Sequence, residues 1–205
     1  MYYINEISSL KKNINQQSKS KIINSHILIN DSVKMISIGN NCTFIDVVLK
    51  IGKNSQLIIG DWCKIKGEII VEEDSTLIIG NQTLFNDKRA VIRCGEKKKI
   101  HIGNNCLFAN PAIYYNTDYH AIYSGSTGLR INHAEDIIIE DNVWLTLNSM
   151  VLKGSIIPKG CIVAAGAIVN KKFNTQNCIL AGNPAKVVQE NILWSDKINE
   201  TIPVI

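Results

Sequence analysis

The chain has 205 residues, 45% of them hydrophobic but only 6% aromatic, and a net charge of +4. That length suits one well-buried domain with a core of Ile, Val and Leu, and so weak a charge, spread along the chain, does not imply nucleic acid. No stretch approaches about 20 apolar residues and no apolar run follows Lys11 and Lys12, so neither a membrane span nor a signal peptide is expected, and a cytoplasmic protein is.

At the start, Ile4, Ile7, Leu10 and Ile14 recur at threes and fours. This spacing predicts a short amphipathic helix or loose arm, capping the open end of whatever follows. The cap is assigned to residues 1–25. From about Ile22 the pattern turns β-like, and from Ile38 the dipeptide Ile-Gly marks time at Ile38-Gly39, Ile59-Gly60, Ile79-Gly80 and Ile102-Gly103, with spacings of 21, 20 and 23. Ile51-Gly52 follows the same grammar within the first interval. Glycine after an inward residue suits a backbone that turns sharply with no room for Cβ.

The next interval, Ile102 to Ile139, is 37 residues long. The surplus falls in 115–136, YNTDYHAIYSGSTGLRINHAED, rich in Asp, Asn, Ser and Gly and without periodicity. A core does not need such a segment, and long polar loops on rigid scaffolds are where function usually sits.

From Ile139 the chain reads in sixes: IEDNVW, LTLNSM, VLKGSI, IPKGCI, VAAGAI, VNKKFN. An aliphatic residue opens each block (Ile139, Leu145, Val151, Ile157, Val163, Val169), and the fifth place is mostly small. Neither a helix nor an ordinary strand has this period. It fits a chain wound into flat-sided coils of three hexads, the aliphatic residue inward and the small one at a corner: a parallel β-helix, all-β, over residues 26–180 with 115–136 inserted. Cys42, Cys63, Cys106 and Cys161 fall four residues after Ile38, Ile59, Ile102 and Ile157, the small corner place, so they read as buried hydrophobes. No CxxC or zinc spacing occurs. After Phe173 the repeat ends. Ala181-Gly182-Asn183-Pro184 reads as a turn, and Val187, Val188, Ile192, Leu193 and Trp194 predict a helix within 185–199 folded back over the last coils.

His120, inside the polar loop, has the side chain best suited to take a proton from a hydroxyl near neutral pH. Asn116 and Asp118 are near enough in sequence to orient its ring, and His133 is a second candidate. His101 and His26 read as plain surface residues. Trp144 closes a hexad where side chains point outward, so it either packs at a subunit interface or lines a groove. The run Val163 to Ala167 offers nearly bare backbone, and Lys171, Lys172 and Lys186 either meet phosphates or form a solvated face.

NTDYHAIYS and GLRINHAEDIIIEDNVWL, followed by AGNPAKVV and VVQENILW, resemble the hexapeptide-repeat acyltransferases, and within them the bacterial polysialic acid capsule O-acetyltransferases. The resemblance covers about Ile38 to Trp194. It implies a left-handed parallel β-helix, against the usual right-handed crossover, and a homotrimer, without metal, that uses acetyl-CoA to acetylate a sugar hydroxyl of a surface polysaccharide, with sialic acid the first choice and a galactoside or another capsular or lipopolysaccharide sugar the alternative. His120 matches the general base and Trp144 the wall of the acceptor and thioester cleft. Asn116, Asp118, Tyr123, Arg130 and His133 would orient the base or bind acceptor. Thr146, Ala164, Ala165, Gly166 and Pro184 would line the pantetheine path, with Lys171, Lys172 and Lys186 near the CoA phosphates. The chain departs from the pattern at Glu140 and Thr146, where glycine is usual, and the Thr146 side chain has the size to narrow the cleft beside Trp144. Two other classes compete: a metalloenzyme of the γ-carbonic anhydrase kind, for which four scattered histidines are a poor set, and a non-catalytic β-helix scaffold.

Overall fold

The computed structural model describes residues 19–109 and 111–198, together with the backbone of residues 2–4. After β1 (Tyr2–Ile4) come β2 (Lys21–Ile23) and β3 (His26–Ile29), then coil upon coil: β4 (Met35–Ile38) and β5 (Thr43–Ile51); β6 (Gln56–Ile59) and β7 (Lys64–Val71); β8 (Thr76–Ile79), β9 (Leu84–Phe85) and β10 (Val91–Cys94). The climb continues through β11 (Lys99–Ile102), β12 (Leu107–Phe108) and β13 (Ile113–Tyr115), and resumes after the loop with β14 (Ile137–Ile139), β15 (Trp144–Leu145) and β16 (Met150–Leu152). It closes with β17 (Ile156–Ile157), β18 (Ile162–Val163), β19 (Ile168–Val169), β20 (Ile179–Ala181) and β21 (Lys186–Gln189).

These strands build a three-sided prism, the parallel β-helix expected from the sixfold repeat, left-handed as the resemblance implies. The first face is the six-stranded parallel sheet β4-β6-β8-β11-β14-β17. The second runs from β2 through β9, β12, β15 and β18 to β20, and the third from β3 through β10, β13 and β16 to β19. β5 and β7 bend around a corner and belong to both, which joins the second and third faces into one 15-stranded sheet. Parallel stacking starts at Lys21, inside the stretch assigned to the cap. Ile4 of the anticipated N-terminal helix lies in a strand antiparallel to β3, whereas Ile7, Leu10 and Ile14 lie outside the described residues.

The hexad aliphatics Ile139, Leu145, Val151, Ile157, Val163 and Val169 are all fully buried, stacked in columns inside the prism. Burying each such side chain is worth about 1.5–3 kcal/mol, and the stacking supplies the core of the described residues. All six cysteines are free and buried. At the corner between the first and second faces their thiols donate to the coil above or below: Cys42 Sγ to Gly60 O and Cys63 Sγ to Gly80 O, each at 3.0 Å, with Thr83 Oγ1 doing the same to Gly103 O at 2.9 Å.

The glycines after the inward isoleucines are explained by close approach. Left-handed φ falls two residues later, at Asn41, Trp62, Gln82, Asn105 and Asn142. A Cβ on Gly103 would instead meet Asp141 Oδ1 at 2.5 Å and Asp141 N at 2.7 Å. That carboxylate caps the coil before it, accepting from Asn104 N at 2.7 Å, and Asn104 in turn accepts from Asn81 N and Asn81 from Asp61 N, both at 2.8 Å. The ladder ends at Lys159, which has no side-chain acceptor to offer. Glu140 then fills the vacated space, its Oε2 accepting from Lys159 N at 2.9 Å. The missing glycine at 140 is therefore a change of cap within the same corner.

Among the described residues there is no helix, and the expected C-terminal helix is overturned. Lys186–Gln189 is a strand antiparallel to β20, with Leu180 opposite Val187. The last coil leaves an unpaired strand edge, and β-branched Val187 and Val188 satisfy it better as a strand than as a helix. Residues 190–198 then run back up the corner between the first and second faces, with Ile192 N donating to Asn177 O at 2.9 Å.

Candidate functional site

The inserted loop leaves β13 and returns to β14 at the corner between the third and first faces. Its neck is closed by Glu135 N donating to Asn116 O at 3.2 Å. Asn116 is fully buried, and its amide is spent on the backbone of the preceding coil: Gly95 N donates to Oδ1 at 2.9 Å, and Nδ2 donates to Gly95 O at 3.3 Å. It roots the loop and makes no bond to the His120 ring.

Above the neck, Glu96 accepts from both terminal nitrogens of Arg130, at 2.7 and 2.9 Å, and from the Thr117 hydroxyl. The Arg130 guanidinium and then Thr117 hold the Glu96 carboxyl down to about 2. Asn132, nearly buried, ties the two limbs together. Its Nδ2 donates to Asp118 Oδ2 at 2.7 Å and to His120 O at 2.8 Å, while its Oδ1 accepts from Ile122 N at 2.6 Å. Asp118 is paired with Lys153 of the next coil, which keeps its carboxyl below the usual range with help from Asn132.

His120 is thus fixed by its backbone, its own N–H donating to Asp118 O at 2.7 Å. The imidazole is exposed and makes no hydrogen bond among the described residues. Asp118 reaches it through its main-chain carbonyl, while the carboxylate accepts from Asn132 and Lys153 and not from the ring. His133 is exposed on the far limb and adds its charge to the field at Glu96. Tyr123, 62% exposed, forms a single antiparallel bridge with Arg130 at the loop's outer turn.

The other candidates lie elsewhere on the prism. Trp144 projects from the second face and packs on Trp194, ring centroids 5.8 Å apart at 37°. Trp194 Nε1 donates to Asn142 O at 2.8 Å, which pins the C-terminal segment over that face. The Thr146 hydroxyl donates to Val163 O at 2.7 Å, which ties this side chain to the backbone of the next coil. Ala164, Ala165 and Gly166 form the corner between the second and third faces, directly under Leu147, whose carbonyl accepts from Gly166 N at 2.9 Å. A Cβ on Gly166 would meet nothing within 4 Å, so this corner is open to an extended ligand. Pro184 and Lys186 are exposed on the last turn below it.

Lys171 and Lys172 do not join them. They begin the next side, Lys172 bridging to Ile156 of the first face and Lys171 Nζ lying 5.1 Å from the Phe173 ring centroid. The three lysines that are close in sequence therefore sit at two different corners. Nor does the His120 loop meet Trp144 within the chain: no hydrogen bond, ion pair or ring contact among the described residues joins them. Sequence reading missed Glu96, Asn132, Lys153 and Trp194. The first three act across 34, 12 and 35 residues of chain, a pairing that periodicity does not reveal.

His26 is on the third face, His101 on the first, and His120 and His133 in the loop, and no group of three or more His, Cys, Asp or Glu able to hold a metal ion occurs among the described residues.

No family model matches the chain. It is 37% identical over 165 residues to a polysialic acid O-acetyltransferase of Neisseria meningitidis, a match spanning 80% of this chain and 76% of that protein. A second polysialic acid O-acetyltransferase, from Escherichia coli O1:K1, is 39% identical over 132 residues, 64% of this chain but 42% of the longer relative. Among solved structures, the polysialic acid O-acetyltransferase OatWY superposes with a TM-score of 0.84 and 34% identity, over 93% of this chain and 90% of that one. The polysialic-acid-specific acetyltransferase NeuO gives 0.64 and 26%, over 93% and 86%. With its hexapeptide coils, extruded histidine loop and these likenesses, the chain belongs to the polysialic acid O-acetyltransferase family and is an acyltransferase.

Proposed function

We propose that the protein transfers the acetyl group of acetyl-CoA to a hydroxyl of sialic acid in a capsular polysaccharide, with His120 as general base. The observation that carries this reading is an exposed imidazole without a hydrogen-bond partner, held by its backbone on a braced loop, in a chain 37% identical to a polysialic acid O-acetyltransferase. Such a ring is free to accept a proton from an incoming hydroxyl. As the sugar oxygen bonds to the thioester carbonyl carbon, the hydroxyl proton passes to the imidazole. Collapse of the tetrahedral intermediate breaks the C–S bond, and the imidazolium returns the proton to the leaving thiolate. Backbone N–H groups of a facing coil would stabilise the oxyanion.

The site is completed between subunits of a homotrimer in this reading. Two features support that. The first is the separation of the His120 loop from Trp144 and the Ala164–Gly166 corner within one chain. The second is unpartnered apolar surface. Val91, Ile113, Met150 and Ile168 stand in register down the outside of the third face, and Ile122, Leu129 and Ile131 are 55%, 68% and 63% exposed on the loop. The loop of one subunit would cross to the Trp144 face of its neighbour, Trp144 walling the acceptor and thioester end. Pantetheine would lie along Ala164, Ala165, Gly166 and Pro184, beside Thr146, with Lys186 and the neighbour's Lys171 or Lys172 toward the phosphates. Tyr123, Arg130 and His133 would face the acceptor. Acetyl-CoA as donor favours a cytoplasmic site of action; no helix of the described residues is long and apolar enough to cross a membrane.

The test is release of free CoA from acetyl-CoA with polysialic acid, monomeric sialic acid and simple galactosides as acceptors, alongside His120→Ala. Turnover confined to the sialylated polymer and lost in the variant is the expected result. Turnover on galactosides alone would keep the mechanism and replace the acceptor. A wild-type rate in His120→Ala would remove the base, and inactivity toward every acceptor would favour a scaffold.

A further inference from the structure

Along the corner between the first and second faces, one position per coil has left-handed φ: Asn41, Trp62, Gln82, Asn105 and Asn142, at 57°, 61°, 55°, 54° and 55°. From Trp62 onward each donates its N–H to the corner carbonyl of the coil before it, Trp62 to Asn40 O and Gln82 to Asp61 O at 2.8 Å, Asn105 to Asn81 O and Asn142 to Asn104 O at 2.9 Å, so their side chains stack in one column. Asn tolerates this backbone; a bulky aromatic residue is an outlier there. Trp62 is moreover 60% exposed and contributes nothing to the core. A strained, solvent-facing indole in a column of amides calls for a ligand.

The foot of the same column opens into a cleft of about 460 Å³ between the second face and the C-terminal segment. Gln82, Asn105 and Asn142 give it amides, Leu84 and Leu107 an apolar floor, and Trp194 an aromatic wall. Trp194 also packs on Trp144, so the cleft leads to the proposed acceptor site. At the other end, Lys64 stands on the second face just beyond Trp62, opposite Leu84, and Lys66 lies farther along that face in the field of Asp87, while Asp196 puts one carboxylate at the mouth of the cleft. Apolar platforms at both ends, amides between them and lysines alongside are the chemistry that holds a chain of pyranose rings bearing carboxylates. With coils about 4.8 Å apart, the three steps from Trp62 to Asn142 span roughly 14 Å, the length of a short oligosaccharide and more than one ring.

We infer that this edge is a binding track for an extended anionic polysaccharide, separate from the transfer site and delivering the polymer to it. The inference rests on the acceptor class proposed above. Trp62 stacks on one sugar ring, Trp194 closes over another, and Lys64 and Lys66 meet carboxylates.

The experiment is calorimetric titration of the full chain with long-chain polysialic acid and with its trisaccharide, for wild type, Trp62→Asn, Trp62→Phe and Lys64→Gln/Lys66→Gln. Asparagine already occupies this position in three other coils, so Trp62→Asn keeps the corner intact. Loss of one aromatic platform should weaken the long polymer about fivefold to tenfold in Trp62→Asn, with most of the affinity regained in Trp62→Phe. The lysine variant should bind the polymer more weakly and with less dependence on salt. Equal polymer affinity in wild type and Trp62→Asn overturns the track, as does a change in oligomeric mass in Trp62→Asn, which would place the indole in a protein interface. CoA release separates the two readings. Acetylation of polysialic acid with Trp62-independent binding removes the track alone, whereas Trp62-dependent binding without acetylation removes the acceptor assignment alone.

Discussion

The Glu96 carboxylate grips the Arg130 guanidinium at both terminal nitrogens, at 2.7 and 2.9 Å, across 34 residues of sequence. The pair joins the returning limb of the polar loop to the coil beneath it, and its planar two-point geometry fixes orientation as well as distance. Glu96 titrates near 2 in the folded chain against an ordinary 4.5, so its contribution is fully present above pH 4.5 and is lost as pH falls toward about 2. Hydrogen exchange over residues 116–136 should therefore accelerate through that window before the solenoid unfolds. Glu96→Gln should show the faster exchange at neutral pH, by about 1 kcal/mol of local opening. Unchanged protection in the variant would mean that the neck bonds of Asn116 hold the loop alone.

Removing the imidazole should lower kcat by about 10² to 10⁴, the usual contribution of a general base, with the melting temperature unchanged because the ring makes no contact that folding needs. Steady-state kinetics of His120→Ala beside its thermal unfolding curve checks both halves.

Asn132→Ala is a different kind of change. It leaves Ile122 N and His120 O without their partner and releases Asp118 from one of its two donors. The loop should be destabilised by about 1–3 kcal/mol. Because His120 itself remains, kcat should fall while KM for acetyl-CoA holds. A rise in KM with kcat unchanged would count against the positioning role.

The corner ladder predicts unequal losses at equivalent positions. Gly103→Ala forces a methyl against Asp141 N at 2.7 Å and should cost about 1–3 kcal/mol in denaturant unfolding. Glu140→Gly should cost less, since it removes only the acceptor at Lys159 N. Equal losses would show that the ladder does not select glycine.

Tyr114 is fully buried, and its hydroxyl, near Ser149 in the core, makes no hydrogen bond of good geometry. Burial pushes its pKa well above the ordinary value, so it stays a neutral phenol throughout the working range. Tyr114→Phe should leave stability unchanged or raise it by about 1 kcal/mol, measured by thermal unfolding.

The prism was legible in the sequence because its core is one-dimensional. Each coil buries Ile, Val or Leu at a fixed interval, so the period of six in 139–173 and the Ile-Gly spacing earlier amount to the fold itself. The surplus between Ile102 and Ile139 located the loop for the same reason, as residues the columns have no use for. The C-terminal segment was not legible, because Val187 to Trp194 fit a helix as well as a strand and only the unpaired edge of β20 decides between them. Long-range pairing was also hidden. Asn116 and Asp118 lie near His120 in sequence, yet their side chains turn to Gly95 and to Lys153, and Asn132 from the far limb holds the histidine's backbone. Lys171, Lys172 and Lys186 look like one cluster and occupy two corners, since a few residues suffice to carry the chain around a side of the prism. Sequence alone determined which residues face inward, because burial repeats with the coil. Which outward residues meet was decided by the tertiary structure, because stacking places neighbours 16 or more residues apart and nothing in local pattern records which coil lies above.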